Sequence, residues 1–317
     1  MVWAAQAAAG SWGVVMLARE PAPLVLANLA WHHAMGAAVI HLYLDDPADP
    51  VAAQAAALPF VRVVRCDAAF WQGFGGRPGL QTRRQTLVAT QSYGLGLTEW
   101  LVHLDADEFL LSLRPLADEL AAMPAHKARL RFLVRERVFA RPDPQDLFEG
   151  LYLIPQPDEA TELTRKGLVG HEAGKQATRR GQALELWPHG PHSPLGPVKG
   201  HASTSTVLLH LDGLTPLHWL VKLLRYASHP PPQWESFLGP HRQAQVRAAM
   251  AARGDPSALR ALHDRLKLHR APVAGRIEAL RFDPGPALAT LGLVIDRSAT
   301  GFDAALRRDW PELTRGL

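Results

Sequence analysis

The sequence predicts an α/β protein: a mixed, mainly parallel sheet with helices on both faces, followed by a C-terminal helical extension. Three observations predict it. Apolar runs of strand length alternate with segments of helix length over the first hundred residues. Charged pairs follow the strand-like runs at Arg19-Glu20, Asp45-Asp46 and Asp105/Asp107. In open parallel sheets ligands bind beyond those strand ends. From Gln233 onward the chain loses the alternation and becomes rich in helix formers and basic residues.

"WGVVMLA", residues 12–18, is a first strand. "PAPLVLANLAWHHAMG" is a helix, with proline near its start and Gly36 at its end. "AVIHLYL" is a second strand running into the turn-rich "DDPADP". "VAAQAAAL" is a helix and "FVRVVRC" a third strand. "FWQGFGGRPG" is expected to be a loop, "LQTRRQTLVATQSYG" a helix and "EWLVHLD" a fourth strand. "ARLRFLVRERVF" alternates like a strand exposed on one face. Ala140 to about Leu195 is expected to be loop-rich. "TVLLHLD" is another short strand, and "TPLHWLVKLLRYA" a helix capped by Thr215 with Pro216 at its first position. The expected divisions are a flexible lead-in over 1–11, a catalytic domain over 12–228 and a basic helical extension over 229–317.

A chain of 317 residues that is 47% hydrophobic can bury a substantial core, which argues against a disordered protein. The net charge of +4 is small and no nucleic-acid motif accompanies it, so nucleic acid is not an expected partner. Cys66 is the single cysteine, which excludes a disulfide framework and argues against cysteine-ligated zinc. The opening "MVWAAQAAAGSWG" has no basic start and reads as a lead-in rather than a signal peptide. No segment reaches the roughly 18 apolar residues that a membrane span needs. A cytoplasmic protein is expected.

"LVHLDADEFL", residues 101–110, carries the chemistry. Three carboxylates in four positions, between apolar runs, are costly unless something neutralises them. Asp105 and Asp107, one residue apart at a strand end, can share a divalent cation that removes their repulsion. Oxygen ligands suit Mg²⁺ or Mn²⁺, ions that retain water and take up substrate phosphates.

"WLVHLDADEFL" resembles the Asp-x-Asp strand of nucleotide-sugar glycosyltransferases with the GT-A fold, bacterial family-2-like and family-92-like enzymes above all. Other segments fit the same order. "VVMLAREP" is similar to the family's first strand, and "LANLAWHHAMGAAVIHLYLDDPADP" to its next helix–strand unit. "QTRRQTLVATQ" resembles the helix before the Asp-x-Asp strand, and "HLDGLTPLHWLVKLLRYA" the late histidine-then-lysine helix. The likeness is piecewise over about residues 12–228.

The resemblance implies a metal-dependent transfer of sugar from a nucleotide-sugar, UDP-linked, to a glycan or lipid-linked acceptor, with inversion. Asp105 and Asp107 would hold Mn²⁺ or Mg²⁺ against the donor diphosphate, Asp107 thereby acting in catalysis. Asp45 and Asp46 would sit near the nucleoside, and Arg19 and Glu20 would line the nucleotide pocket, although Asn or Lys is commoner than Arg at the first position. Arg83 and Arg84 would neutralise phosphate. In "GHEAGKQATRRGQALELWPHGPHSP", Lys175 and Arg179 would reach the donor, and His192, in preference to His189, would complete the metal site. His210 and Lys222 form a second candidate pair for phosphate or acceptor contact.

Inversion needs a carboxylate to take the acceptor's proton. Glu136 is the preferred candidate, with Asp158, Glu159, Glu172 and Asp212 as alternatives. Haloacid-dehalogenase phosphatases also end a strand in Asp-x-Asp, but Phe109 stands where they carry Thr or Val. Nucleotidyltransferases share the sheet and the metal, but the glycine-rich basic loop is missing from "MLAREPAPL". A non-catalytic nucleotide or glycan binder is the third reading.

The basic excess is local. From His241 to Arg270 there are seven Lys/Arg and two Asp/Glu. This stretch is expected to be a helical face, Ser257 capping one helix, with Arg260, Lys267 and Arg270 partly outside. It suits peripheral contact with an anionic membrane or an acidic glycan.

Overall fold

The computed structural model describes residues 8–317. Residues 1–7 of the expected lead-in lie outside the described residues. The end of that stretch is tied down rather than flexible. Gly10 donates its N–H to the Glu99 carboxylate at 2.7 Å, and the Ser11 hydroxyl accepts the Glu99 N–H at 3.1 Å.

In chain order the elements begin β1 (Trp12–Ala18), α1 (Ala22–Ala34), β2 (Val39–Leu44), α2 (Val51–Ala56) and β3 (Val61–Arg65). Next come α3 (Ala68–Gln72), α4 (Gln81–Leu95), β4 (Trp100–His103), β5 (Glu108–Ser112), α5 (Leu116–Ala121) and β6 (Arg129–Val138). The strands β7 (Leu151–Leu153), β8 (Lys175–Arg179), β9 (Glu185–Trp187), β10 (Gly190–His192) and β11 (Gly200–His210) follow. The rest is α6 (Pro216–Ala227), α7 (Pro231–Glu235), α8 (Pro240–Ala251), α9 (Pro256–Lys267), β12 (Ile277–Glu278), α10 (Gly285–Thr290), α11 (Ala299–Asp309) and α12 (Pro311–Thr314).

The alternating pattern of the first hundred residues is realised almost element for element. The exception is α3, which lies where a loop was expected. Asp67 initiates it by accepting the Phe70 N–H at 2.8 Å. The expected loop region, 140–195, carries the four short strands β7 to β10.

The chain divides into two compact units. The first comprises residues up to Leu133, Ala173–Leu208 and Gly285–Leu293; the second comprises Val134–Glu172, Leu209–Pro284 and Val294–Leu317. The division expected at residue 228 is not observed, because α6 packs with α8, α9, α11 and α12 inside the second unit.

In the first unit β3, β2, β1 and β4 are parallel neighbours in that order, the arrangement of a doubly wound α/β sheet. All seven residues of β1 are buried, as a strand covered on both faces must be. Antiparallel β8 continues the sheet from β4, and β6 pairs with β8. Val15, Leu17, Tyr43, Trp71 and Val88 form a core between strands and helices. Each such buried aliphatic side chain contributes about 1.5–3 kcal/mol.

In the second unit β12, β7 and the end of β6 form an antiparallel patch. Thr215 caps α6 by accepting the His218 N–H at 3.0 Å, as expected. Helix α9 is capped by Asp255, which accepts the Ala258 N–H at 3.0 Å, and not by Ser257. Pro256 at the first helical position places the cap one residue before it.

Candidate functional site

In the first unit β4 runs through Leu104 into a tight turn, and β5 leaves it, so the acids sit at the carboxyl end of a parallel strand. Helix α1 holds that turn. Asn28 Nδ2 donates to the carbonyls of Ala106 at 3.0 Å and Glu108 at 2.8 Å. Trp31 Nε1 donates to Leu110 O at 2.7 Å, and His32 Nε2 accepts the Leu110 N–H at 3.1 Å. Residues 28, 31 and 32 share one helix face by their spacing of three and four. Burial pushes His32 down to about 4, which keeps that nitrogen an acceptor. His33 instead stacks on Phe60, its ring centroid 3.6 Å away.

The turn gathers charge. Glu108 is fully buried and accepts the Asp105 N–H at 2.8 Å. The Lys175 ammonium, also fully buried, lies 2.9 Å from Asp105 Oδ2 and 3.1 Å from Glu108 Oε2. Burial alone would lower its pKa, but Asp105 and Glu108 outweigh that and hold it above the ordinary lysine range. Gln85, on α4, donates to the other Asp105 oxygen. Asp107 is 6% exposed. Gly174 sets Lys175 in place: its φ is +68°, and a Cβ there would meet Phe132 O at 2.1 Å.

Of the candidates for the nucleotide, Asp45 is engaged by Arg84 at 2.9 Å and Arg77 at 3.0 Å. Arg84 is buried and also donates to Pro78 O and Gly79 O, so it fixes the loop before α4. Arg83, one residue earlier, is exposed. Asp46 accepts the Ala48 N–H at 2.9 Å and closes the turn after β2. Arg19 is exposed and Glu20 half-buried just past β1.

Four expectations need correction. Strand β8 is antiparallel to β4, so Arg179 pairs with Trp100 at the strand's far end. Four residues of strand separate it from Lys175 by roughly 13 Å. It binds Glu99 at 3.1 Å and lies over the Trp100 ring, a structural role. His192 is exposed on β10 and stacks on Trp187. Neither His192 nor Asp105 belongs to any group of three acidic or histidine side chains, among the described residues, whose ligand atoms lie close enough to share one ion. Lys222 belongs to the second unit, 3.2 Å from Asp212. Glu136 belongs there too, and it is fully enclosed.

In the second unit the Glu136 carboxylate accepts the N–H groups of Val169 at 2.9 Å and Gly170 at 2.6 Å, with Lys267 Nζ at 3.4 Å. A base must reach the hydroxyl it deprotonates. Glu136 is walled in, and a Cβ at Gly170 would already meet its Oε2 at 2.8 Å. It is a structural anchor. Arg242 at 2.9 Å and Lys222 at 3.2 Å both lie on Asp212 Oδ1. Burial would raise the Asp212 carboxyl, but Arg242, Lys222 and Lys267 outweigh it and hold it well below its usual range.

Acidic and histidine groups able to hold a divalent ion are present in the chain: Asp107 and Glu108 in the first unit, His171, His210 and Asp212 in the second. In the first unit the carboxylates at the turn outnumber the lysine three to one, and their oxygens suit Mg²⁺ or Mn²⁺. The sequence suggests His210 for phosphate or acceptor contact and Asp212 as an alternative base, and neither as a side chain able to ligate an ion. Their signal is the "HLD" at the end of β11, a histidine and an acid with the same spacing as Asp105 and Asp107. Asp212 Oδ2 is buried with no hydrogen-bond partner among the described residues, as an oxygen kept for another ligand would be.

No family model matches the chain, and no curated protein matches it. Among solved structures, one match is a crystal structure of 4-diphosphocytidyl-2C-methyl-D-erythritolsynthase from Anaerococcus prevotii. It is 13% identical and covers 54% of this chain and 70% of its own, with a TM-score of 0.29. A likeness that slight carries no argument about activity.

Proposed function

We propose that the chain is a metal-dependent glycosyltransferase that moves a sugar from a UDP-linked donor to a hydroxyl of a glycan or lipid-linked acceptor, with inversion. The observation that carries this reading is the acid-rich turn at the carboxyl end of β4, where Asp105 and Glu108 meet the buried Lys175 and Asp107 lies buried between them in sequence. Asp107 would hold Mn²⁺ or Mg²⁺, with Asp105 fixed at the same turn by Lys175 and Gln85. Bound there, the ion would offset the negative charge that gathers on the departing diphosphate. Lys175 fixes the orientation of Asp105 and Glu108. Asp45 and Asp46 close the β2 end of the same sheet, where the nucleoside would lie, and exposed Arg83 is open to phosphate.

The test joins binding and turnover. UDP and UDP-sugars with Mn²⁺ should raise the melting temperature by mass action. Asp107→Asn should leave the fold intact and lower turnover by about 10²–10³-fold, the size of one lost electrostatic partner in the transition state. Full turnover in that variant, or in excess chelator, would overturn the reading. Release of pyrophosphate from a nucleoside triphosphate, in place of UDP from a nucleotide-sugar, would move the assignment to nucleotidyl transfer. Nucleotide-sugar binding with no turnover on any acceptor would make the chain a binding protein of the same fold.

A further inference from the structure

The hairpin of β9 and β10, in the first unit, carries an aromatic surface that the acidic turn does not use. Trp187 is 47% exposed and is the only exposed tryptophan among the described residues. Its orientation is fixed from behind and at its edge. The His192 ring stacks on it, with centroids 4.9 Å apart and planes at 18°, and the Glu185 carboxylate accepts its indole N–H at 3.0 Å. The hairpin is tied to the strands that carry the acids. His103, the last residue of β4, donates from Nδ1 to the Trp187 carbonyl at 3.4 Å, and Gln176 Nε2 donates to the His189 carbonyl at 2.7 Å. Trp187, His103 and Gln176 line one crevice. Within it, His103 Nε2 and Gln176 Oε1 are buried without a hydrogen-bond partner.

We infer that Trp187 is a stacking platform for a neutral sugar ring. A pyranose offers an apolar C–H face to an indole and a rim of hydroxyl donors. The polar groups around Trp187 are acceptors: the Glu185 carboxylate, which takes the indole N–H, and Gln176 Oε1 and His103 Nε2, which have no donor among the described residues. A nucleobase would stack as well, but its phosphates would then approach Glu185 and the acids at the end of β4. Only the identification of this sugar with the transferase's acceptor rests on the proposed function; the binding itself does not.

The experiment uses the whole chain with no nucleotide and no metal. Saturation-transfer NMR is recorded with maltose, cellobiose and lactose as probes. The wild type should show transfer to at least one of them. Trp187→Ala should weaken that binding by about tenfold, the size of one lost aromatic stack, and Trp187→Phe should retain most of it. Circular dichroism checks that both variants fold. No transfer to any of the three sugars, transfer unchanged in Trp187→Ala, or equal loss in both variants would overturn the platform. Binding of UDP and a panel of UDP-sugars with Mn²⁺ is measured separately on the wild type, so failure of all of them would remove the transferase reading and leave the platform standing.

Discussion

Each unit buries a cluster of acids and bases, and the two clusters are built on opposite balances. In the first unit Asp105 and Glu108 meet one buried lysine, and Asp107 is buried at the same turn. In the second, Glu136 and Asp212 meet Lys267, Arg242 and Lys222, while Arg137 donates to backbone carbonyls at Leu147 and Glu149. The first is rich in acid and stands at the end of a parallel strand. The second is rich in base, and its Glu136 also binds two backbone N–H groups. A buried carboxylate whose two oxygens are both engaged, as those of Glu136 are, holds a fold together; several carboxylates gathered at one turn suit a cation.

The largest effects come from breaking one buried pair in each cluster. Glu136→Ala strands the Lys267 ammonium and two backbone N–H groups, at a cost of about 3–5 kcal/mol in urea unfolding. Lys175→Met leaves Asp105 and Glu108 facing each other without the ammonium, with a loss of the same order. The two should differ in rescue. Saturating Mn²⁺ should stabilise Lys175→Met more than it stabilises the wild type, because a divalent ion can replace the missing charge. Glu136→Ala should gain no more from Mn²⁺ than the wild type does. Equal rescue of both variants would erase the distinction between a structural cluster and a cation-binding one.

How much of this contrast the sequence contains can be judged from two strands. On β4 the run from apolar residues into Asp105 and Asp107 announces the acidic turn directly. The lysine that meets it comes from β8, seventy residues later, inside a stretch dense in turn residues. Its strand is only five residues long, too short for a period to stand out. On β6, Leu130, Phe132, Val134, Glu136 and Val138 occupy one face by alternation, and all are buried. That pattern placed Glu136 on the core side of its strand, away from any substrate. Arg135 and Arg137, on either side of it, belong to the other face of the strand by the same alternation. Distant partners such as Asn28 and His32, which brace the acidic turn, leave no local signal, because they matter only once α1 packs on it.

A smaller effect, common to both units, appears in acid. His32 in the first and His263 in the second are each pushed down to about 4 by burial. Their folded values lie below the unfolded value near 6.5, so the unfolded chain takes up protons first. The stability that depends on them is present above about pH 6.5 and is lost as pH falls from there toward 4. Each contributes about 2–3 kcal/mol over that window. Urea midpoints at pH 7.5 and 4.5 should show a smaller drop in His32→Gln and in His263→Gln than in the wild type. An unchanged drop in both would mean that other groups govern the acid response.

The smallest expected effect concerns the basic stretch from His241 to Arg270. Its composition suggested an outward face for an anionic membrane, but its bases are spent mostly within the second unit. Lys267 is fully buried beside Glu136, on the same helix face as buried Leu259, His263 and Leu266. Arg242 lies on Asp212 at 2.9 Å, Arg247 pairs with Glu235, and Arg260 bonds Asp264 and Asp143. Arg253 donates to the Glu312 carbonyl at 3.2 Å. Exposed Arg265 and Arg270 are the members for which no such partner is seen among the described residues. A basic residue near an anionic surface contributes about 1 kcal/mol, so two of them give weak attraction that moderate salt screens. No described helix is long and apolar enough to cross a membrane. Co-sedimentation with anionic and with neutral vesicles should therefore differ little at low salt, and not at all at moderate salt. Strong retention on anionic vesicles alone, lost in a double Arg265→Ala/Arg270→Ala variant, would show that a few exposed charges suffice. It would give the second unit an outward role besides its buried one.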